Sequence, residues 1–455
     1  MSTNAPTGSV SASASPNQDL AERLGRLLGG GIENLARLSG GASRETWSFD
    51  LRPMDGVAQH LILRRDPPTA ARTGGMPMEA ELFGVAARAG VPVPKLVASG
   101  DADPDLLGTG FLVMERVEGE TLARRVLRDA PYAHARSVLV EQLGVALARL
   151  HAADPESVGS LVHVDTIAKY RDMIDTFAYP SPAFEMAFRW LEENRPEPTG
   201  DVILHGDFRL GNVIVDHSGL AAVLDWELAR LGDPAEDLGW LCVRAWRFGG
   251  AGAVAGLSDY DVLLRAYKSA GGVDISVETL RWWEAVGTLA WGVMCLLQAN
   301  AHITGAIRSV ELAAIGRRVA EQEHDLLDIL GVPRSDALPT RSHPSTLTGL
   351  PTLPGLVEAV REFLERDVMP ATSGRVQFHS RVAVNVLAMI ERELVSGPGM
   401  AAAHEAGLKA LKLSSEAELA EAIRNGSVDY RSPTVGALVR STVTSRLTIA
   451  NPKYA

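Results

Sequence analysis

Cysteine is almost absent from this chain, and its scarcity narrows the chemistry before any motif is read. Only Cys242 and Cys295 occur in 455 residues. Neither stands in a metal-ligand spacing, and two isolated cysteines form no disulfide framework. Both read as small buried hydrophobes, and a reducing cytoplasm is the compartment that such usage implies. Aromatic residues make up 5%, so the cores must be mostly aliphatic. A basic surplus is missing too. The formal net charge of -12 argues against a broad footprint on nucleic acid or an anionic membrane, though not against a local basic pocket for a phosphorylated ligand. No apolar run is long enough for a bilayer; the most apolar stretch, residues 286–297, reads as a buried helix. The opening MSTNAPTGSVSASASPNQ has neither a positive n-region nor an apolar h-region, so a disordered tail is expected there rather than a secretory signal.

What is present is a soluble-type composition, 46% hydrophobic and 22% charged, in a chain long enough for two or three folded units. After a tail over residues 1–19, residues 20–117 read as antiparallel strands around one inserted helix. Strands are expected on both sides of a Gly/Ser turn at 39–43, then at 60–65 and 111–117, with helices at 20–28 and 78–89. Residues 118–332 switch to helical spacing at 121–128, 136–151, 181–193, 259–269, 277–301 and 309–330. One strand-rich interruption falls at 202–225. Residues 333–354 carry five prolines among Ser and Thr, the composition of a linker. Four more helices are expected beyond it, at 356–366, 377–395, 400–413 and 416–425, as a separate all-α domain over 355–455. A small strand-rich lobe ahead of a larger helical one is an α+β arrangement.

The informative segment is VILHGDFRLGNVIVD at 202–216, followed by LAAVLDWE at 220–227. Two short apolar runs flank a His-Ser-Gly turn and form a hairpin, which carries Asp225 back towards a loop that holds Asp207 and Asn212. Phosphoryl transfer needs that set: one carboxylate to orient a hydroxyl and accept its proton, and hard oxygen ligands for Mg²⁺ on the nucleotide phosphates. Turn-capping alone would also suit Asp and Asn at these places, but not the whole ordered set.

His205-Gly206-Asp207 with Asn212 resembles the HGDxxxxN catalytic loop of the aminoglycoside phosphotransferase-like small-molecule kinases, the group that includes choline kinase types. That family shares the two-lobed protein-kinase-like fold, with a small antiparallel-sheet N-lobe and a larger helical C-lobe. The resemblance implies ATP and Mg²⁺ as cofactors, Asp207 as the catalytic carboxylate, and Asn212 and Asp225 as metal ligands. His205 joins the catalytic loop as its organiser. Arg209 either faces the substrate or anchors the loop. Leu231-Gly232-Asp233-Pro234 with Asp237-Leu238 resembles the family's GDPxxDL element, whose residues would brace the loop. Upstream, Gly40, Gly41 and Ser43 resemble the nucleotide-covering loop, where backbone N–H groups approach phosphate oxygens. Arg64 stands where the phosphate-binding cation is usually presented, with Arg65 next to it if the register slips by one. Glu79 is placed to pair with that cation, with Glu81 competing. The backbone from Glu115 to Val117 would hold the adenine edge.

The run HGDFRLGN followed by LDWELARLGDPAEDLGW resembles kinases fused or genetically linked to acyl-CoA dehydrogenases. The implied acceptor is the hydroxyl of a hydroxyacyl-CoA, typically at C4, and the implied partner a pathway enzyme of the acyl-CoA dehydrogenase type. An aminoglycoside, macrolide or amino-sugar kinase is the alternative enzyme, and a catalytically inactive kinase-fold binding module the alternative of another class. The C-terminal segments LVEAVREFL and RLTIANPK resemble a small uncharacterised helical domain found beside such kinases. Regulation, homo-oligomerisation and contact with a partner enzyme all remain open for it, and His379, Arg381 and Asn385 read as a polar helix face.

Overall fold

Strand alternation in the N-terminal third decides which way its charged side chains point. In the computed structural model, which describes residues 16–38, 44–54, 56–67, 75–334 and 351–454, five antiparallel strands form one sheet. They are β1 Gly30–Arg37, β2 Glu45–Pro53, β3 Gln59–Arg65, β4 Leu96–Gly100 and β5 Phe111–Glu115, in the order β1-β2-β3-β5-β4. Successive side chains of a strand face opposite sides. Trp47, Phe49, Leu61, Leu63, Phe111 and Val113 pack on one side under Leu20 and Leu24 of the helix Pro16–Leu28. On the other side Ile62, Leu112 and Met114 join the core of the larger body, together with Leu82, Phe83 and Ala86 of the helix Gly75–Arg88. The buried positions of that helix, Met76, Glu79, Leu82, Phe83, Val85 and Ala86, include the three- and four-residue steps of one helix face. Glu79 is therefore buried by helical register.

The larger body is helical, built around Ala133–His151, Pro234–Cys242 and Val277–Ile303. Four short strands interrupt it: β6 Val202–Leu204, β7 Val213–Asp216, β8 Gly219–Val223 and β9 Arg230–Gly232. β7 and β8 form the expected hairpin, and β6 pairs with β9. The loop after β6 and the segment after β8 are thus pinned at both ends. Cys242 and Cys295 are both buried. Among the described residues no helix is long and apolar enough to cross a membrane.

Several elements depart from expectation. Residues 16–19, expected in the tail, begin the first helix; the remainder of the tail and residues 335–350 of the expected linker lie outside the described residues. The strand expected just before the Gly/Ser turn begins earlier, at Gly30. The single helix expected over 309–330 is two, Val310–Gly316 and Val319–Ile329, because the chain turns at Arg317 and Arg318 so that both lie on Val277–Ile303. Conversely Gly374–Ala410 is one helix running through Pro398. Packing against Leu353–Phe363 and Pro433–Ala450 outweighs the roughly 3 kcal/mol cost of an interior proline. The helices Thr166–Phe177 and Pro433–Ala450 were not expected.

The C-terminal helices share a core with the larger lobe. Leu408, Leu419, Ile423, Val435, Val439 and Val443 pack with Ala183, Met186 and Leu327. At that junction Arg440 is fully buried. Its Nη2 lies 3.0 Å from Asp328 Oδ1 and donates to the Val332 carbonyl at 2.7 Å, and its Nη1 donates to the His324 carbonyl at 3.3 Å. Removing one member of such a set leaves the others buried and unpaired. Arg440→Ala should therefore cost about 2–4 kcal/mol in urea unfolding. Arg334→Ala, which removes an exposed partner of the same Asp328, should cost less than about 1 kcal/mol.

Candidate active site

The loop after β6 owes its shape to one glycine and one buried carboxylate. Gly206 has φ +78°, and a Cβ there would meet the Leu228 carbonyl oxygen at 2.2 Å, so only glycine fits. Asp237, fully buried in the first turn of Pro234–Cys242, accepts the His205 N–H at 2.7 Å and the Gly206 N–H at 2.9 Å. His151 Nε2 stands 3.3 Å from the same side chain. Burial pushes the Asp237 pKa up, but the His151 contact and the Gly206 amide outweigh it and hold the group below the ordinary aspartate value. The GDPxxDL aspartate thus braces the loop from behind.

His205, expected among the catalytic residues, is wholly enclosed. Its Nε2 lies 2.9 Å from the Leu224 carbonyl, and its Nδ1 accepts the Asp207 N–H at 3.2 Å. Burial depresses its pKa, so the ring is neutral with its proton on Nε2. It ties the loop to the end of β8 and touches no space a substrate can enter.

Asp207 is held at both oxygens. Oδ1 accepts Arg209 Nε at 2.9 Å and Trp240 Nε1 at 2.8 Å, and Oδ2 accepts Asn212 Nδ2 at 2.6 Å. Each carboxylate oxygen retains further lone-pair capacity. The Arg209 guanidinium also lies 4.6 Å from the Trp246 ring centroid. In this structure it packs on the loop and the indole, the arrangement of the anchor alternative. Trp240 was missed. It stands 33 positions from its partner, and a tryptophan ending an apolar helix reads as core.

Asp225 follows β8, and the Leu224 N–H donates to the Asn212 carbonyl at 2.8 Å, so both oxygen-bearing residues flank one peptide junction. Asp225 is left-handed at φ 65°, an uncommon state for a non-glycine residue and one that clusters at functional sites. Its Oδ1 accepts Arg64 Nη2 at 2.7 Å. Burial pushes the Asp225 pKa up, but Arg64 outweighs it and the net position is lowered.

Arg64 bridges the two lobes. It faces the cleft because Leu61 and Leu63 take the opposite side of β3. Its Nη1 is 3.4 Å from Glu79 Oε2. Burial draws its pKa down, and Asp225 and Glu79 more than offset this. Arg65, the neighbouring candidate, is turned to Glu45 and the Trp47 ring. Glu81 is exposed. Arg44 is the other residue missed: buried, it contacts Glu79, donates to Asp66 at 3.3 Å, and lies 3.7 Å from Glu227. Its partners stand 22 and 35 positions away, a separation that leaves no local pattern. Gly40, Gly41 and Ser43 lie outside the described residues. At the inter-lobe strand, the Glu115 N–H is committed to the Lys95 carbonyl. The Val117 backbone makes no hydrogen bond among the described residues.

These residues fit a hard divalent cation. Asn212 spends its side-chain nitrogen on Asp207 and keeps its side-chain oxygen Oδ1 for a ligand; Asp225 spends Oδ1 on Arg64 and keeps Oδ2. Oxygen donors alone suit Mg²⁺. Next to Gly206 lies a cavity of about 210 Å³, walled by Trp240, Trp283, Val286, Ala290 and Met294 with Tyr170 and Glu227 at its polar side.

Residues 34–271 match the model of the phosphotransferase enzyme family, and residues 370–454 match a domain of unknown function. Acyl-CoA dehydrogenase family member 10 of Mus musculus is 28% identical over 268 residues, 55% of this chain and 24% of that protein. Acyl-CoA dehydrogenase family member 11 of Rattus norvegicus is 31% identical over 206 residues, 40% of this chain and 25% of that protein. The match thus spans about a quarter of these relatives' length. A solved structure from Ralstonia eutropha, described as a candidate aminoglycoside phosphotransferase, superposes with a TM-score of 0.54 at 20% identity. It covers 70% of this chain and 99% of that one, and it shows the shared fold.

Trp240→Phe keeps an aromatic ring beside Trp246 but removes the N–H that reaches Asp207. A hydrogen bond to a charged group contributes about 1.5–3 kcal/mol. Steady-state kinetics should therefore show a kcat lower by roughly 10-fold or more, with the nucleotide KM changed less than about twofold. An unchanged kcat would remove Trp240 from the mechanism.

Proposed function

The chain belongs to the phosphotransferase enzyme family, and from that membership we propose that it is an ATP- and Mg²⁺-dependent kinase whose acceptor is the hydroxyl of a hydroxyacyl-CoA, at C4 in the first instance. The observation that carries the phosphotransfer reading is the linked set Asp207, Asn212, Asp225 and Arg64. Asn212 donates to Asp207 and Arg64 to Asp225, and the backbone hydrogen bond from Leu224 to Asn212 brings the two pairs together.

In this reading Asp207 orients the acceptor hydroxyl and takes its proton. The hydroxyl oxygen forms the new bond to the γ-phosphorus, and the bond from that phosphorus to the β,γ-bridging oxygen breaks, releasing ADP. Arg209, Trp240 and Asn212 hold the carboxylate in place for that step. Arg64 sets positive charge against the nucleotide phosphates as a planar fork, and Glu79 fixes it from behind. Val117 offers its free backbone to the adenine edge. Asn212 Oδ1 and Asp225 Oδ2 would hold Mg²⁺, which would supply neutralisation of the phosphate charge.

Three features favour an acyl acceptor over a cationic antibiotic. The cavity beside Gly206 is walled mainly by apolar side chains, which suits an acyl chain. The three carboxylates in its lining are already engaged: Glu227 with Arg44, Glu236 with Arg230 and Thr166, and Asp237 with the loop amides. That leaves little acidity for a polycation. The matched curated relatives carry acyl-CoA dehydrogenase names. Phosphorylating the hydroxyl turns a poor leaving group into a good one, so an enzyme catalysing elimination and onward acyl-CoA oxidation would consume the product.

The test is ADP release with mass detection of product, run on a panel of 4-hydroxyacyl-CoAs, aminoglycosides and macrolides with ATP and Mg²⁺. A 4-hydroxyacyl-CoA should gain one phosphoryl group, and Asp207→Ala should lower kcat by about 10³-fold or more with unfolding unchanged within about 1 kcal/mol. Phosphorylation of an antibiotic alone would overturn the acceptor; full activity of Asp207→Ala would overturn the catalytic assignment.

A further inference from the structure

A second groove, of about 450 Å³, opens between the end of the helix Ala123–Arg128, the start of Ala133–His151 and the glycine-rich turn after Phe248. It adjoins the catalytic loop. The Phe248 ring lies 3.8 Å from where a Cβ of Gly211 would stand, between Arg209 and Asn212. From Phe248 the lining continues through the apolar Leu257 and Leu127 to Arg128 and Arg136.

Its far wall is rigid. Cβ atoms at Gly250 and Gly252 would stand 2.3 Å from the Gly256 carbonyl oxygen and the Ser258 nitrogen, and Gly249 and Gly256 have φ of +85° and +78°. Only a side-chain-free backbone folds this tightly. Where the walls approach, Arg128 Nη2 lies 3.8 Å from where a Gly249 Cβ would be.

The charge there is one-sided. Arg128 and Arg136 line the groove with no carboxylate among the lining residues, in a chain whose net charge is -12. Arg136 Nη1 donates to the Val126 and Asp129 carbonyls, each at 2.8 Å, which fixes its fork in place. Arg128 is exposed, and its side chain makes no hydrogen bond or ion pair among the described residues. Two guanidiniums without a carboxylate beside them, in a groove that also presents Phe248, Leu257 and Leu127, suit a ligand with a neutral stem and phosphates.

We propose that this groove binds the phosphate-bearing carrier end of the acceptor, with the pantetheine arm of a CoA thioester along Phe248 and Leu257 and its phosphates on Arg128 and Arg136. The proposal rests on the hydroxyacyl-CoA reading above and adds where that substrate's recognition lies.

Calorimetric titration of the full chain with free CoA, pantetheine and ADP separates the possibilities. Arg128→Glu should weaken CoA binding by at least about 10-fold while pantetheine and ADP affinities stay within about twofold. Equal CoA affinity of both proteins, or no CoA binding to the wild-type chain at millimolar concentration, overturns the groove assignment. So does weakening of ADP in parallel with CoA, since that would place Arg128 on the nucleotide. A 4-hydroxyacyl-CoA phosphorylated with the same KM by Arg128→Glu also overturns the groove, yet leaves the acceptor assignment standing. The two readings therefore fail separately.

Discussion

The candidate site depends first on the carboxylate of Asp237. A fully buried charge is costly unless every lone pair has work to do, and here the work is geometric. Two consecutive backbone amides, at His205 and Gly206, point at one side chain, which is possible only because Gly206 takes a left-handed φ. That bend sends the next residue, Asp207, out towards the cleft. The helix that carries Asp237 also carries Trp240, whose indole N–H reaches the outer side of Asp207. One short helix thus holds the loop from behind and in front.

A second constraint joins the lobes. Arg64 and Arg44 enclose Glu79, and Arg64 reaches on to Asp225. Such a buried network adds little net stability, because the Coulombic gain is largely consumed by desolvation. It does define geometry: the small sheet can tilt against the helical body only by separating Arg64 from Asp225. The positive φ of Asp225 is sustained by that ion pair on one side and by the Leu224 amide on the other.

Local order was legible in the sequence where the interacting residues are close together. Asp207, Asn212 and Asp225 lie within one loop and one hairpin, so spacing alone brings them near each other. The cleft-facing register of Arg64 follows from Leu61 and Leu63, and the burial of Glu79 from Met76, Phe83 and Ala86. What escaped reading is set by tertiary contact. Trp240 and Arg44 meet their partners across long separations and look like ordinary core and surface residues in the chain. The same holds for Pro398, which reads as a helix breaker until two neighbouring helices are seen packed along both halves of Gly374–Ala410. The helix Pro433–Ala450 has weak amphipathic character because it is buried on several sides, and periodicity needs a solvent face to be visible.

The C-terminal region illustrates how far packing overrides a linker-like composition. Arg244 donates to Asp325 at 3.0 Å and to the Tyr454 carbonyl at 2.9 Å, and its guanidinium lies 4.7 Å from the Tyr454 ring centroid. Tyr454 closes the triangle by donating to Asp325 at 2.7 Å. Arg244 opens the short turn Arg244–Arg247, which also carries Trp246. That indole packs 5.3 Å from Trp240 and 4.8 Å from Trp291, centroid to centroid, and supports Arg209. Arg209 and Trp240 are two of the three side-chain donors to Asp207. The end of the helical region and the Asp207 carboxylate are therefore separated by one turn of backbone and one layer of indoles. In interiors packed as densely as organic crystals, such a layer transmits displacement rather than absorbing it. The last helices thus belong to the same mechanical unit as the catalytic loop, whatever further surface they present.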